Sequence, residues 1–491
     1  MASLPWPFAL PRECLSSLAI RAAARMPLLH LEGRFIILAS MKPFSAEDPI
    51  AALATPWGES AIAVIRLSGS GCLALLDRLF RPAGLAAPPA RALHHGVLHD
   101  GDEPIDDVMM AVYRRGRSYT GEEAAEIFCH GGMAVVQRVL ALLLGSGFRQ
   151  AEPGEFTMRA FLNGRMDLTR AEAVNEIIRS KTDRARALAL QRLSGGVERR
   201  INAIKARLTD LRAAIEVRLD YPDEDLPDEP FGLEAVHAAE EELEELLATY
   251  HTGRLMQAGA AVVIAGRTNA GKSTLFNLLL REDRAIVSEL HGTTRDYIEG
   301  AIALEGIPIR LFDTAGLRRS RDRLEQEGMR RTEKVIRGAH LMLFLVDATR
   351  GLEEEDRRLL REYAELGDVL PVWNKIDAVG RKNGLPEGFL PLSAETGEGL
   401  EELRREVVER LSGGHELRGD QVVIDSERQK ELIERCVAAL HRCRQGTGEK
   451  LPLDILAEDL REALSCLGEI TGEVTSEDVL RRMFSRFCVG K

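Results

Sequence analysis

The apolar run Ala261-Val-Val-Ile-Ala265 opens directly into Gly266-Arg-Thr-Asn-Ala-Gly271-Lys272-Ser273, and helical periodicity follows from Thr274 to Leu280. A buried strand, a glycine-rich turn and a helix in that order leave few folds open, because GxxxxGK[ST] in this setting predicts a phosphate-binding loop. The glycines let the backbone curl so that the N–H groups of Asn269, Ala270, Gly271, Lys272, Ser273 and Thr274 and the helix N-terminus face phosphate oxygens. Lys272 adds a point charge, and the Ser273 hydroxyl suits Mg²⁺.

Further motifs follow in a fixed order. Gly292-Thr293-Thr294-Arg295-Asp296 supplies a switch segment whose Thr294 hydroxyl completes Mg²⁺ coordination when a γ-phosphate is present. The strand Ile309-Arg-Leu-Phe312 runs into Asp313-Thr314-Ala315-Gly316, where the carboxylate reaches Mg²⁺ through water and the Gly316 amide senses the γ-phosphate. Asn374-Lys375-Ile376-Asp377 comes after the apolar stretch containing Val369, Leu370 and Val372. The Asp377 carboxylate can accept two hydrogen bonds from guanine N1–H and its exocyclic amine; adenine offers no such pair. Ser393-Ala394-Glu395 fits a loop whose backbone amide contacts the guanine carbonyl. From about Ala260 to Leu411 the chain therefore reads as a GTP-binding and GTP-hydrolysing domain. In Ras-type enzymes a glutamine after the Asp-x-x-Gly motif orients the attacking water. Leu317 stands there instead, and the acidic segment beyond it offers Glu325, which spacing alone also allows to be a solvent-facing carboxylate at a helix start.

At 491 residues the chain accommodates two to four domains. A net charge of −12 excludes a protein whose whole surface is a nucleic-acid footprint, so an RNA contact must be local or lent by a partner. No apolar run is long enough for a bilayer, and a membrane partner is not expected. The cysteines Cys14, Cys72, Cys129, Cys436, Cys443, Cys466 and Cys488 are odd in number and lack CxxC spacing, which suggests neither a disulfide framework nor zinc and fits a reducing, cytoplasmic compartment. Residues 1–40, with Arg21, Arg25 and Arg34 among apolar neighbours, read as an extension from a start placed upstream of Met41 or as a targeting segment.

From Ile50 to Phe156, short β-like runs such as Ile62-Ala-Val-Ile-Arg-Leu67 alternate with glycine and proline, predicting an α/β or α+β domain. From about Arg159 the pattern turns helical, with helices predicted over Ala171 to Ala189, Val197 to Leu219 and Leu233 to Tyr250. Beyond Leu411 helices return over Glu427 to Arg444 and Leu451 to Gly468, so the nucleotide-binding segment reads as an insert in one helical domain.

These motifs resemble the MnmE (TrmE) tRNA-modification GTPases from about Pro49 to the last residue. Beside the nucleotide motifs, the resemblance rests on Ala51-Ala-Leu-Ala-Thr-Pro56, Tyr119-Thr-Gly-Glu122, His130-Gly-Gly132, Pro153-Gly-Glu-Phe156 through Arg159-Ala-Phe-Leu-Asn-Gly-Arg-Met-Asp167, and the terminal Phe487-Cys488-Val489-Gly490-Lys491. It implies a multidomain α/β protein: an N-terminal folate-binding-like dimerisation domain (43–158), a helical domain in two parts (159–257 and 414–491), and an inserted Ras-like P-loop G domain with a mostly parallel sheet (258–413). It implies that GTP contacts extend through Ser288, Glu289, Leu290, His291 and Gly292. It also implies that K⁺ is held by Asn269, Ser288, Leu290 and Thr293 when two G domains meet, and that Glu325 orients water. Arg66, Glu126, Arg165 and Lys491 match positions that contact a tetrahydrofolate derivative, in 5-formyl or methylene form; Arg165 departs from relatives that carry lysine there. Cys488 matches a candidate catalytic thiol, while the residues themselves equally allow a buried structural cysteine. The implied reaction couples GTP hydrolysis to modification of C5 of the wobble uridine in certain tRNAs. The implied assembly is a homodimer joined in a heterotetramer by an FAD-dependent MnmG (GidA) partner, with FAD on that partner only.

Three features are set aside. His94, His95 and His99 are close, but neighbours on a strand face opposite ways, so only His95 and His99 could share a face, and no acidic or cysteine ligand is expected with them. The acidic stretch 220–230 reads as a solvated turn, and the basic run from Arg179 to Arg200 as a solvated helix surface that could touch tRNA. The competing function is a regulatory or ribosome-assembly GTPase without covalent chemistry; a GXXG-bearing KH module, which would favour it, is not found outside Ala260 to Leu411.

Overall fold

The structure is a computed structural model describing residues 28–31, 34–37, 48–85, 91–220, 233–282, 299–313, 337–381, 384–414, 421–449 and 451–491. Strands β1 (Leu28–Leu31) and β2 (Arg34–Ile37) pair as a hairpin. The chain divides into two compact units, 1–175 with 465–491, and 176–464.

The first unit is built on β3 (Ile50–Leu53), β4 (Ser60–Ser68), β5 (Phe80–Arg81), β6 (Arg91–Asp100), β7 (Glu103–Tyr113), β8 (Ala124–Gly131) and β9 (Arg149–Gln150), in the order β5-β6-β7-β8-β4-β3-β9. Pairing is antiparallel throughout except between β3 and β9. Period-two alternation divides each strand between two faces. Ala63, Ile65 and Leu67 join a core with α1 (Cys72–Asp77) and α2 (Met133–Gly145). Arg66 takes the other face, directly across from Glu126 of β8. Helices α3 (Glu155–Leu162) and α15 (Glu477–Phe484), with the start of α4 (Leu168–Arg179), bury Met158, Phe161, Leu168, Leu480, Phe484 and Phe487 together.

In the second unit, β10 (Ala260–Gly266), β11 (Glu299–Leu304), β12 (Ile307–Asp313), β13 (Leu341–Asp347), β14 (Val369–Asn374) and β15 (Leu390–Leu392) are ordered β11-β12-β10-β13-β14-β15. Only the edge pair β11 and β12 is antiparallel. Both faces are covered, so the central strands β10 and β13 are buried along nearly their whole length. Val262 and Ile264 pack toward α9 (Lys272–Glu282) and α12 (Leu400–Ser412). Val263 and Ala265 pack with Phe344 and Trp373 on the side of α10 (Glu354–Ala364). This is the mostly parallel sheet of a P-loop fold within a mixed α/β chain, as the sequence predicts.

The same unit holds α5 (Asp183–Leu193), α6 (Gly196–Asp220), α7 (Leu233–Ala248), α8 (Tyr250–Ala258) and α13 (Glu427–Gly448); α11 is the turn Ile376–Val379, and α14 spans Leu453–Thr471. The predicted helix over Ala171 to Ala189 is two helices. Thr182 breaks it: its hydroxyl accepts from Ala185 N at 3.2 Å and donates to Gly306 O at 2.7 Å, so it caps α5 rather than continuing α4. Arg192, 2 % exposed, donates to Glu176 at 2.7 Å, Asp425 at 3.1 Å and Val423 O at 3.2 Å, so its buried charge is fully paired. No helix among the described residues is long and apolar enough to cross a membrane.

Candidate functional site

The loop from β10 to α9 is shaped by steric demands. Gly266 has φ +138°, and a Cβ there would lie 2.4 Å from Leu345 O. Gly271 has φ +95°, and a Cβ would lie 2.1 Å from the Asn374 amide nitrogen. Asn269 is exposed with φ 68°, a left-handed conformation asparagine tolerates. Lys272 is buried to 8 % exposure, and its ammonium folds back to donate to Arg267 O at 2.7 Å. Ser273 Oγ donates to Asp313 Oδ2 at 2.8 Å, which brings together the hydroxyl and carboxylate expected around Mg²⁺. Ala270 is buried and Thr274 exposed.

The segment expected to read the base is tied to this loop. Asn374, 1 % exposed, donates from Nδ2 to Ala270 O at 2.8 Å and accepts from Ala394 N at 3.0 Å. Within the loop expected to meet the guanine carbonyl, the Ala394 amide is thus engaged by Asn374. Lys375, with φ 69°, reaches Asp347 Oδ2 at 2.6 Å. Burial alone would raise the Asp347 carboxyl, but the Lys375 ammonium and the Thr349 hydroxyl and amide hold it below its ordinary value. Ile376 is buried, whereas Asp377 and Glu395 are exposed. Ser393 Oγ donates to Asp377 Oδ1 at 2.6 Å and accepts from Thr396 N at 3.1 Å, fixing the carboxylate from one side. Ser288, Glu289, Leu290, His291, Gly292, Thr293, Thr294, Thr314, Ala315, Gly316 and Glu325 lie outside the described residues.

A second constellation lies in the first unit. Arg66 donates to Glu126 Oε1 from Nε at 3.0 Å and Nη2 at 2.8 Å, and to Gly490 O from Nη1 at 3.1 Å. Its guanidinium lies 5.6 Å from the Tyr119 ring centroid and 5.8 Å from that of Phe156. Burial, and then the neighbouring Arg66 charge, push the Lys491 ammonium below its ordinary value. Arg66, Glu126 and Lys491 therefore share one place, a cationic pair with an acid beside aromatic faces. Arg165 is exposed, its stem against Gly121, where a Cβ would meet Arg165 Cγ and Cδ at 3.4 Å. Cys488 is exposed, against the alternative of a buried structural thiol. His95 Nε2 lies 2.8 Å from Asp107 Oδ1, so an acid does accompany it, brought across from β7 by the sheet.

Residues 49–165 match the family described as GTP-binding protein TrmE N-terminus, and residues 168–488 match the MnmE helical domain. The tRNA modification GTPase MnmE of Moorella thermoacetica is 43% identical over 461 residues, covering 91% of this chain and 100% of the relative. That of Aquifex aeolicus is 41% identical over 451 residues, covering 90% of this chain and all 100% of the relative. The chain belongs to the MnmE family of tRNA modification GTPases. A solved structure of Aquifex aeolicus Era bound to GDP·AlF4⁻ is 29% identical over 37% of this chain and 66% of its own, with a TM-score of 0.26.

GTP hydrolysis in tRNA modification is thus the activity of this MnmE-family chain. Two of its contacts escaped the motif reading. Asp347 ends an all-buried strand, β13, and a lone acid closing such an apolar run is the signal that could have found it. Arg267 sits inside the loop motif at a position the motif leaves open, and nothing in the spacing points to its partners.

Proposed function

We propose that the protein couples GTP hydrolysis to addition of a carboxymethylaminomethyl or aminomethyl group at C5 of the wobble uridine of certain tRNAs, acting as a homodimer with an FAD-dependent MnmG-type partner in a cytoplasmic heterotetramer. The observation that carries this reading is near full-length similarity to proteins named tRNA modification GTPase MnmE. In this reading domain limits follow the sequence expectation: 43–158, 159–257, 258–413 and 414–491.

Ser273 and Thr294 hold Mg²⁺ with Asp313 behind them, Lys272 and the loop amides grip the triphosphate, and Asp377 accepts from guanine. Glu325 orients the attacking water. Asn269, with Ser288, Leu290 and Thr293, holds K⁺ between two G domains, where a cation would neutralise charge developing between the phosphates. Support for this on the described side of the site is the exposed, left-handed Asn269.

Arg66, Glu126, Arg165 and Lys491 take the tetrahydrofolate derivative, which when bound supplies the one-carbon unit. The donor set suits it: burial and then the Arg66 charge hold the Lys491 ammonium below its ordinary value, and an anion such as the glutamate tail of a folate would favour its charged form. Cys488, exposed and close to Lys491 in the chain, is the thiol assigned to that chemistry.

The deciding experiment is mass spectrometry of wobble uridines from cells lacking the protein; unaltered tRNA sinks the reading. For the cation, GTP turnover should rise when Na⁺ is replaced by K⁺, and Asn269→Ala should remove the gain. Equal rates in both salts reject that part of the mechanism.

A further inference from the structure

Arg267 follows Gly266 on the crest of the phosphate loop, and its guanidinium turns away to the first turn of α10. Its Nη1 lies 2.5 Å from Glu353 Oε2 and 3.6 Å from Asp356 Oδ2, and its Nε lies 3.0 Å from Glu355 Oε2. Those acceptors are themselves fixed, because Glu353 and Asp356 form a reciprocal capping box at the helix start and Asp356 is 3 % exposed. The main chain of Arg267 has a second task. Its carbonyl accepts from Lys272 Nζ at 2.7 Å and from Ala270 N at 3.3 Å.

Other parts of the loop are held from outside: Gly266 sits against Leu345 O, and Ala270 O takes the Asn374 amide. A small cavity borders this part of the loop, lined among others by Arg267, Thr268, Ala270, Leu345, Asp347 and Asp356. A planar fork meeting several carboxylates resists rotation in a way a single ammonium cannot.

We propose that Arg267 is a positioning residue for GTP hydrolysis: by tying the loop crest to the Glu353/Glu355/Asp356 turn, it sets the carbonyl that parks Lys272 and the backbone that presents Asn269 and the loop amides to the triphosphate. It acts through the loop and does not touch the nucleotide. The inference rests on Lys272 facing the triphosphate, and wild-type protein that failed to bind GTP would sink that reading rather than the tether.

The test is steady-state GTP hydrolysis and mant-GTP affinity on the full chain. Arg267→Ala should raise KM for GTP about tenfold, equivalent to about 1.4 kcal/mol, with a much smaller change in kcat. Arg267→Lys should recover part of the loss. The double variant Glu353→Gln/Glu355→Gln should reproduce the rise, and adding Arg267→Ala to it should change nothing further, since the three groups act as one tether. A KM that rises with Arg267→Ala but stays at the wild-type value in the carboxylate variant would mean that the guanidinium contacts the nucleotide directly, and would overturn the proposal. Additive effects, no movement of KM, or a fall in kcat matched by a lower melting temperature of the nucleotide-free chain would overturn it too.

Discussion

At the scale of single residues, selectivity depends on small groups that aim larger ones. Ser393 is fully buried, and its hydroxyl both donates to Asp377 and accepts from Thr396. Asp377 is exposed, so without that donor its carboxylate rotates freely and, as the proposed reader of guanine, would lose part of its directional advantage. Ser393→Ala should lower the preference for GTP over ATP by about three- to tenfold, the worth of roughly one hydrogen bond. Calorimetric titration with both nucleotides measures it, and an unchanged ratio would reject the orienting role. The loop glycines were legible in sequence because a motif spaces them; why Gly271 tolerates no side chain was not, since the obstructing group is Asn374, 103 residues on in the chain.

Elements show how a sequence signature acquires a physical cause. In Pro153-Gly-Glu-Phe156, Gly154 has φ +70°, and a Cβ there would lie 2.7 Å from Phe484 O. Glu155 begins α3, is 1 % exposed, and accepts from Arg149 Nη2 at 2.7 Å and Arg159 Nη2 at 2.9 Å. Arg159, 2 % exposed, also reaches Asp48 at 2.9 Å and Glu122 at 3.3 Å. Burial alone would raise the Glu155 carboxyl, but the Arg149 hydrogen bond, the Glu152 amide and Arg159 outweigh it and hold it below its ordinary value. A folded-state value below the unfolded one gives stability that is complete above the unfolded pKa, about 4.3, and is lost as pH falls through the folded value. Thermal melting between pH 7 and 3 should therefore show a decline that Glu155→Gln flattens, while Glu155→Ala at neutral pH should cost on the order of 3 kcal/mol by leaving buried Arg159 short of a partner. A Glu155→Gln profile parallel to wild type would reject the assignment. Strand alternation in β4 was readable from Ile62 to Leu67, but the split between α4 and α5 was not, because the Thr182 hydroxyl that caps α5 is also anchored to the Gly306 carbonyl, distant in the chain.

For the whole molecule, the last residues fold back within the first unit. Gly154 N donates to Cys488 O at 3.3 Å, Arg66 reaches Gly490 O at 3.1 Å, and a Cβ on Gly490 would lie 2.6 Å from Leu53 O. The nucleotide loop belongs to the other unit. Removing residues 487–491 should therefore leave GTP affinity of the full assembly within about twofold while abolishing binding of a tetrahydrofolate derivative, measured by calorimetry on the same sample. Retained folate binding would separate Lys491 from that site.

By itself, the sequence determined the strand-loop-helix of the phosphate loop, the order of the nucleotide motifs, the mixed α/β class and the family, because each rests on backbone preferences or spacings local to a few residues. Only the tertiary structure decided that Glu126 is bound by Arg66, that Ala394 N serves Asn374, that Lys375 pairs with Asp347 and that Arg267 leans on α10. Those contacts join residues from 20 to more than 80 positions apart. Sheet register and helix docking bring such groups within hydrogen-bonding range, and no local pattern encodes that distance.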